Sequence, residues 1–175
     1  MDVATLNALL ERMLDTLKAD TALAAMVKAR DGTFRLGQLG AVDETVDTLP
    51  LVYVAAAPTF IHDRRTIGGP PAPGVSPAEA VTYVIHAVAV TRPEGSPFAA
   101  QTRAYAFGEA IIGALSRNLV LHDGTGADPL AHNIQMDMVE RYGPGMGTDK
   151  EAVTVLCHVL TVVEHMDERN PLYSP

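Results

Sequence analysis

Histidine has the widest chemical range of any residue in this chain, because a neutral imidazole binds transition metals and moves protons near pH 7. His62, His86, His122, His132, His158 and His165 show none of the HxH, HxxxH or HExxH spacings that aim two rings at one ion. His62 and His122 are followed directly by Asp63 and Asp123, and adjacent residues cannot easily face a single ion together. His86 and His158 stand in apolar runs, where strand alternation predicts covered faces and the ordinary outcome is a hydrogen-bonded core histidine. The pattern argues against a metal site.

Nucleophiles and phosphate loops fare no better. Gly124-Thr125-Gly126 and the glycines of 143–147 do not lead into a helix and are not followed by Lys-Ser/Thr, so they are turns. There is no Gly-x-Ser-x-Gly elbow, and Ser76, Ser96, Ser116 and Ser174 lie beside proline or on a helix surface without an evident base. Glu109 in a helical stretch is a lone carboxylate, a type more often solvated or paired than catalytic. The single cysteine, Cys157, cannot form an internal disulfide, and Val155, Leu156, Val159 and Leu160 around it predict a buried thiol in a reducing compartment. Neither catalysis nor a cofactor is predicted.

Composition narrows the remaining classes. The chain has 175 residues, enough for one domain, and is 47% apolar and 19% charged, which suits a packed core rather than disorder. Thirteen Lys+Arg against 21 Asp+Glu give a formal charge of −8, with no clustered basic patch for a phosphate backbone. Aromatic residues make up 5% with no Trp, so stacking platforms for bases are scarce. The N-terminal residues lack a basic region and a continuous apolar stretch, and no run of about 18 apolar residues exists, so the expectation is a cytosolic product with no membrane partner.

The elements that would position any site follow from periodicity. Val3, Leu6, Leu10, Met13 and Leu17 form one helical stripe, widened by Leu9 and Leu14. Asp20 or Thr21 caps a short second piece, Ala22 to Val27, before Asp31-Gly32 turns the chain. Leu49-Pro50 introduces a strand from Leu51 to Ala56, with Pro58 to Asp63 a possible extension. From Arg64 to Ala78, four prolines and three glycines in fifteen residues predict a long loop. Val81 to Thr91 is apolar on both alternations, the mark of a strand covered on two sides. Ser96 as N-cap and Pro97 at the first position open a helix to about Asn118, its inner side including Ala104, Gly108, Ile111, Ile112 and Leu115. Residues 122–133 are turn-rich; Ile134, Met136 and Met138 make a strand with one buried face, and Ala152 to Glu164 forms the last strand. The fold expected is α+β, a mainly antiparallel four-stranded sheet with two principal helices on one side. A single domain would span 1–165 and an extended tail 166–175. Strands this apolar exceed what two helices cover, which points to association with copies or partners.

This order of elements resembles the tail terminator proteins of long-tailed phages, the lambda-type minor tail protein U family, over about Asp2 to Glu164. The likeness lies in the N-terminal amphipathic helix, the Leu49-Pro50-Leu51-Val52-Tyr53-Val54 lead into the first strand, the loop-bearing hairpin into Val81 to Thr91, the helix through Tyr105 and Ile112, and two closing strands. The resemblance implies a virion structural protein assembled in the host cytoplasm and placed at the tail-neck junction. Its expected form is a homo-oligomeric ring, a hexamer, that seats on the tail tube protein, stops polymerisation and offers a surface to a neck or connector protein, while DNA passes through without tight binding. Arg64, Arg65 and Ile67 in the loop and Pro171, Leu172 and Tyr173 in the tail are the candidate contacts with a neighbour. The rival readings are a neck or head-tail connector protein, a regulatory dimer on the same sheet, and a small α+β enzyme or ligand-binding domain drawing on His86, His158 or Glu109.

Deleting residues 168 to 175 is expected to leave the circular-dichroism spectrum and unfolding midpoint unchanged while weakening attachment to tail or neck. Unchanged joining by the truncated protein would remove the tail from the contact surface.

Overall fold

A computed structural model describes residues 3–37, 49–67, 78–91, 96–118, 121–122, 129–142 and 155–167. Helices α1 (Val3–Ala19), α2 (Thr21–Lys28) and α3 (Pro97–Ser116) accompany strands β1 (Thr33–Leu36), β2 (Leu51–Ile67), β3 (Ala78–Thr91), β4 (Leu121–His122), β5 (Pro129–Tyr142) and β6 (Val155–Asp167). The class is α+β. The strands β1, β2 and β3 form a mixed unit, with β1 parallel and β3 antiparallel to β2, and the ladder continues through β6 and β5 to β4.

Six strands among the described residues replace the four expected, while the helices are the two principal ones and the short piece expected after Asp20, which is α2. Strand β1 was missed because four residues are too few for an alternation to declare itself, and β4, with two, lay in a stretch read as turns. The expected loop also begins later. Arg64 to Ile67 belong to β2 and pair with Val81, Ala80, Glu79 and Ala78, so the proline and glycine run had been extended over residues whose backbone groups have ladder partners. Residues 68–77 lie outside the described residues. Pro58 sits inside β2 where the register shifts between Ala56 and Ile61, the kind of irregularity that tolerates a missing N–H. Pro129 opens β5, again a place where no ladder donor is required. At the other end of the chain, Met166 and Asp167, assigned by sequence to the tail, are the last residues of β6.

Two apolar clusters flank the central strands. On one face Leu9, Met13 and Leu17 of α1, Leu23 and Val27 of α2, and Phe107, Ile111 and Leu115 of α3 pack on Val52, Val54, Ile85, Ala87 and Ala89. Burying a side chain of this size contributes about 1.5–3 kcal/mol, so the shared cluster holds all three helices. On the other face Leu51, Tyr53, Ala55, Val88 and Val90 form a smaller cluster with Leu49 at its margin. These residues are fully buried within the single chain. The inference that the apolar surplus of the strands stays open for a neighbour is therefore corrected for this part of β2 and β3.

The chain leaves α2 through a tight structure. Gly32 N–H donates to Val27 C=O at 2.9 Å and Asp31 N–H to Lys28 C=O at 3.1 Å, while Asp31 takes φ 55, the left-handed conformation that closes a Schellman motif. Thr33 N–H then donates to Pro50 C=O at 3.0 Å, which docks the start of β1 beside β2. A side chain at Gly32 has no room, because its Cβ would stand 2.2 Å from the Pro50 carbonyl oxygen and 2.9 Å from Val27 Cγ1.

Asp20 ties the two ends of the helical layer together. Its carboxylate accepts the Leu23 N–H at 2.9 Å as the N-cap of α2 and also pairs with Arg117 just beyond α3. The Leu23 hydrogen bond is the main cause that holds the Asp20 carboxyl below the usual range, opposed by burial and aided by the Arg117 hydrogen bond and charge. Because the Arg117 side chain is 61% exposed, its part of the interaction is worth only about 0.2–1 kcal/mol.

Gly32→Ala is expected to destabilise by about 1–3 kcal/mol in urea unfolding, since the clash is with backbone that carries β1; a neutral effect would show that β1 docks without this close approach. For Asp20 the lowered folded value means stability that is present above about pH 4 and lost as acid protonates the carboxylate through that lowered value. Asp20→Asn keeps a cap but should flatten this acid limb of the stability curve, and Asp20→Ala should cost about 1 kcal/mol at neutral pH.

Candidate interaction surface

His86 is half-buried in β3, opposite Ala55 of β2 and Leu160 of β6 in register, and His158 stands opposite Val88. Among the described residues no group of three or more His, Cys, Asp or Glu side chains is placed to hold a metal ion. Glu109 is exposed on the outer side of α3, so it is a surface carboxylate and not a buried acid. No helix among the described residues is long and apolar enough to cross a membrane.

Of the six candidate contact residues, three lie among the described residues. Arg64, Arg65 and Ile67 take consecutive ladder positions in β2, opposite β3. Pro171, Leu172 and Tyr173 lie outside the described residues.

What the sequence reading missed is the outer side of α3. Ser96 Oγ accepts the Ala99 N–H at 3.2 Å, and Pro97 needs no donor at the first position, so the helix starts abruptly and puts Phe98 in its first turn. Phe98 is 77% exposed and Tyr105 is 36% exposed, and both share a stripe with Thr102 and Glu109, which are also exposed. The spacing 98, 102, 105, 109 is helical and lies opposite the buried Ala104, Phe107, Ile111 and Leu115. Once that inner face is known, two aromatic residues on the wet face are readable as a surface feature. The signal was in the spacing.

A second feature is a groove of about 550 Å³ between α2 and the start of β1. Ala24, Val27, Gly32 and Phe34 line its apolar part, with Lys28 and Asp31 at its margin, both exposed. It exists because the Schellman turn throws the chain back along α2 and lays Phe34 beside it. The polar groups here are too few and too solvated for proton transfer, whereas an apolar floor with charged margins suits a protruding side chain.

No protein-family model matches the chain, and no curated protein matches it. Among solved structures, a chain of the virion of a native gene transfer agent particle is similar at 17% identity and a TM-score of 0.45, covering 95% of this chain and all of that one.

Proposed function

We propose that this chain is a non-enzymatic virion structural protein of the tail-terminator type, working as a hexameric ring that caps the tail tube. In this reading the ring stops tube polymerisation, presents its other face to a neck or connector protein, and lets DNA pass through its lumen. The observation that carries the proposal is the outer stripe of α3, where Phe98 and Tyr105 face solvent on a chain already folded around two buried clusters. Exposed aromatic side chains of this kind are anchors for protein-protein contact. The order of elements, which resembles the terminators, supplies the kind of assembly.

Charge supports the conduit. Six copies at −8 each carry about −48, and a field of that sign repels the phosphates of passing DNA rather than holding them. A ring also disposes of sheet edges, since β1 and β4 are the outermost strands of the ladder and a closed assembly can cover such edges.

Negative-stain images of the purified protein, alone and mixed with the tail tubes of its own phage, test this. Six-fold rings, or particles seated at tube ends, are expected. Decoration of the neck alone would replace the terminator reading with a connector, and a protein that neither forms rings nor binds tubes would overturn the assembly role.

A further inference from the structure

We propose that copies of this chain join edge to edge, the free outer side of β5 in one copy pairing antiparallel with the free outer side of β2 in the next. This deepens the proposed ring reading by naming its contact. Strand β1 bonds to β2 only at its start: Thr33 N–H donates to Pro50 C=O, Gly37 N–H donates to Val54 C=O, and the ladder between them ends with Leu36 opposite Val54. From Ala55 to Ile67 no strand among the described residues pairs with that side of β2. At the other end of the sheet β4 meets β5 only at Pro129 and Ala131, which leaves His132 to Tyr142 in the same condition among the described residues. A row of unpaired backbone N–H and C=O groups is a template for another strand. Pro58 lies in the irregular stretch between Ala56 and Ile61, so its missing N–H falls outside the regular pairing of Asp63 to Ile67.

Direction and register identify a second copy as the occupant. Strands β2, β3, β6 and β5 pair antiparallel in turn, so β5 runs opposite to β2, and a copy set beside the first by rotation continues the alternation without a break. Followed along the rows of β3, the free side of β2 runs from His86 to Ala78, while that of β5 runs from Thr91, the row of Tyr142, to Thr82, the row of His132. Copies set level would collide, because β1 occupies the rows of Val90 to Ala87. A displacement by the four residues of β1 clears it and lays the whole free side of β2 against β5. An even displacement also keeps each strand's two faces on the two faces of the joined sheet. Spread over β2, β3, β6 and β5, it amounts to one residue per strand. That is the stagger of a closed barrel of eight strands, which has a shear of eight and a tilt of about 36°. Two different edges make a heterologous contact, the type that generates rings when the rotation closes. In this register Arg64 meets Met136 and Arg65 meets Gln135. Asp63 falls level with Asp137, a like-charged row with the basic Arg65 two positions along the same strand.

The test is disulfide formation between singly substituted copies in a Cys157→Ala background, mixed alone or with tail tubes and then oxidised. A copy with Arg64→Cys should bond to a copy with Met136→Cys, because directly paired strands bring Cα atoms within the roughly 4.4–6.8 Å that a disulfide spans. Arg65→Cys with Gln135→Cys reads the same register from the alternate sheet face, and it stands in if a variant of the first pair fails to fold. Ala56→Cys with Met136→Cys marks the level arrangement and should stay about tenfold or more below the other two pairs. Background yields from both staggered pairs, or the highest yield from the Ala56→Cys pair, overturn the contact. Rings or tube caps in which the staggered pairs stay at background would mean that the assembly stands and this interface is wrong. Staggered disulfides without rings or caps would keep the interface and remove the terminator role.

Discussion

Burial on both faces of β2 at Leu51 to Ala55 and of β3 at Ala87 to Val90 is the constraint from which the rest of the structure follows. Leu51 to Ala55 and Ala87 to Val90 are sealed above and below, so their backbone groups must find partners within the ladder and their side chains must find partners on two sides. One side is met by three helices that share a single cluster. The other is met by Leu51, Tyr53, Ala55, Val88 and Val90 packing together. Alternation distributes the same short segment between these two clusters, and a one-residue slip of β2 against β3 would exchange them.

Local devices hold the outer elements against that centre. Asp20 begins α2 and meets Arg117 at the end of α3, so one carboxylate connects two helices far apart in sequence. The turn at Asp31 and Gly32 brings Thr33 to the Pro50 carbonyl, and β1 lies parallel to β2 in the register Thr33 opposite Leu51 to Leu36 opposite Val54. The groove beside Phe34 is a by-product of that turn. Its apolar floor comes from small residues of α2, Ala24 and Val27, which leave space that larger side chains would have filled.

The consequence for function is a division between a buried interior and an exposed outer side of α3. Leu51 to Ala55 and Ala87 to Val90 are covered within the single chain. Phe98, on the outer side of α3, keeps exposed aromatic area whose transfer energy is favourable once something covers it.

Periodicity and local chemistry were legible in the chain itself. The stripe of α1, the Asp20 and Ser96 caps, the turn at Asp31-Gly32, the apolar β3 and the inner side of α3 depend on neighbours within a few residues, and they stand where the spacing put them. The strand at Arg64 to Ile67 was not legible, because it forms through partners in β3 that lie beyond a run of glycine and proline. Strand β1 was hidden for the same reason, its pairing being with residues almost twenty positions later. The candidate contacts were likewise chosen from texture, whereas the stripe of Phe98 and Tyr105, present in the spacing, became readable only once packing fixed which face of α3 is buried. Sequence alone determined the elements whose hydrogen bonds and apolar spacing close locally. Tertiary structure decided strand partners, the covering of the second sheet face and the exposed anchor, because each depends on which distant segments exclude water from one another.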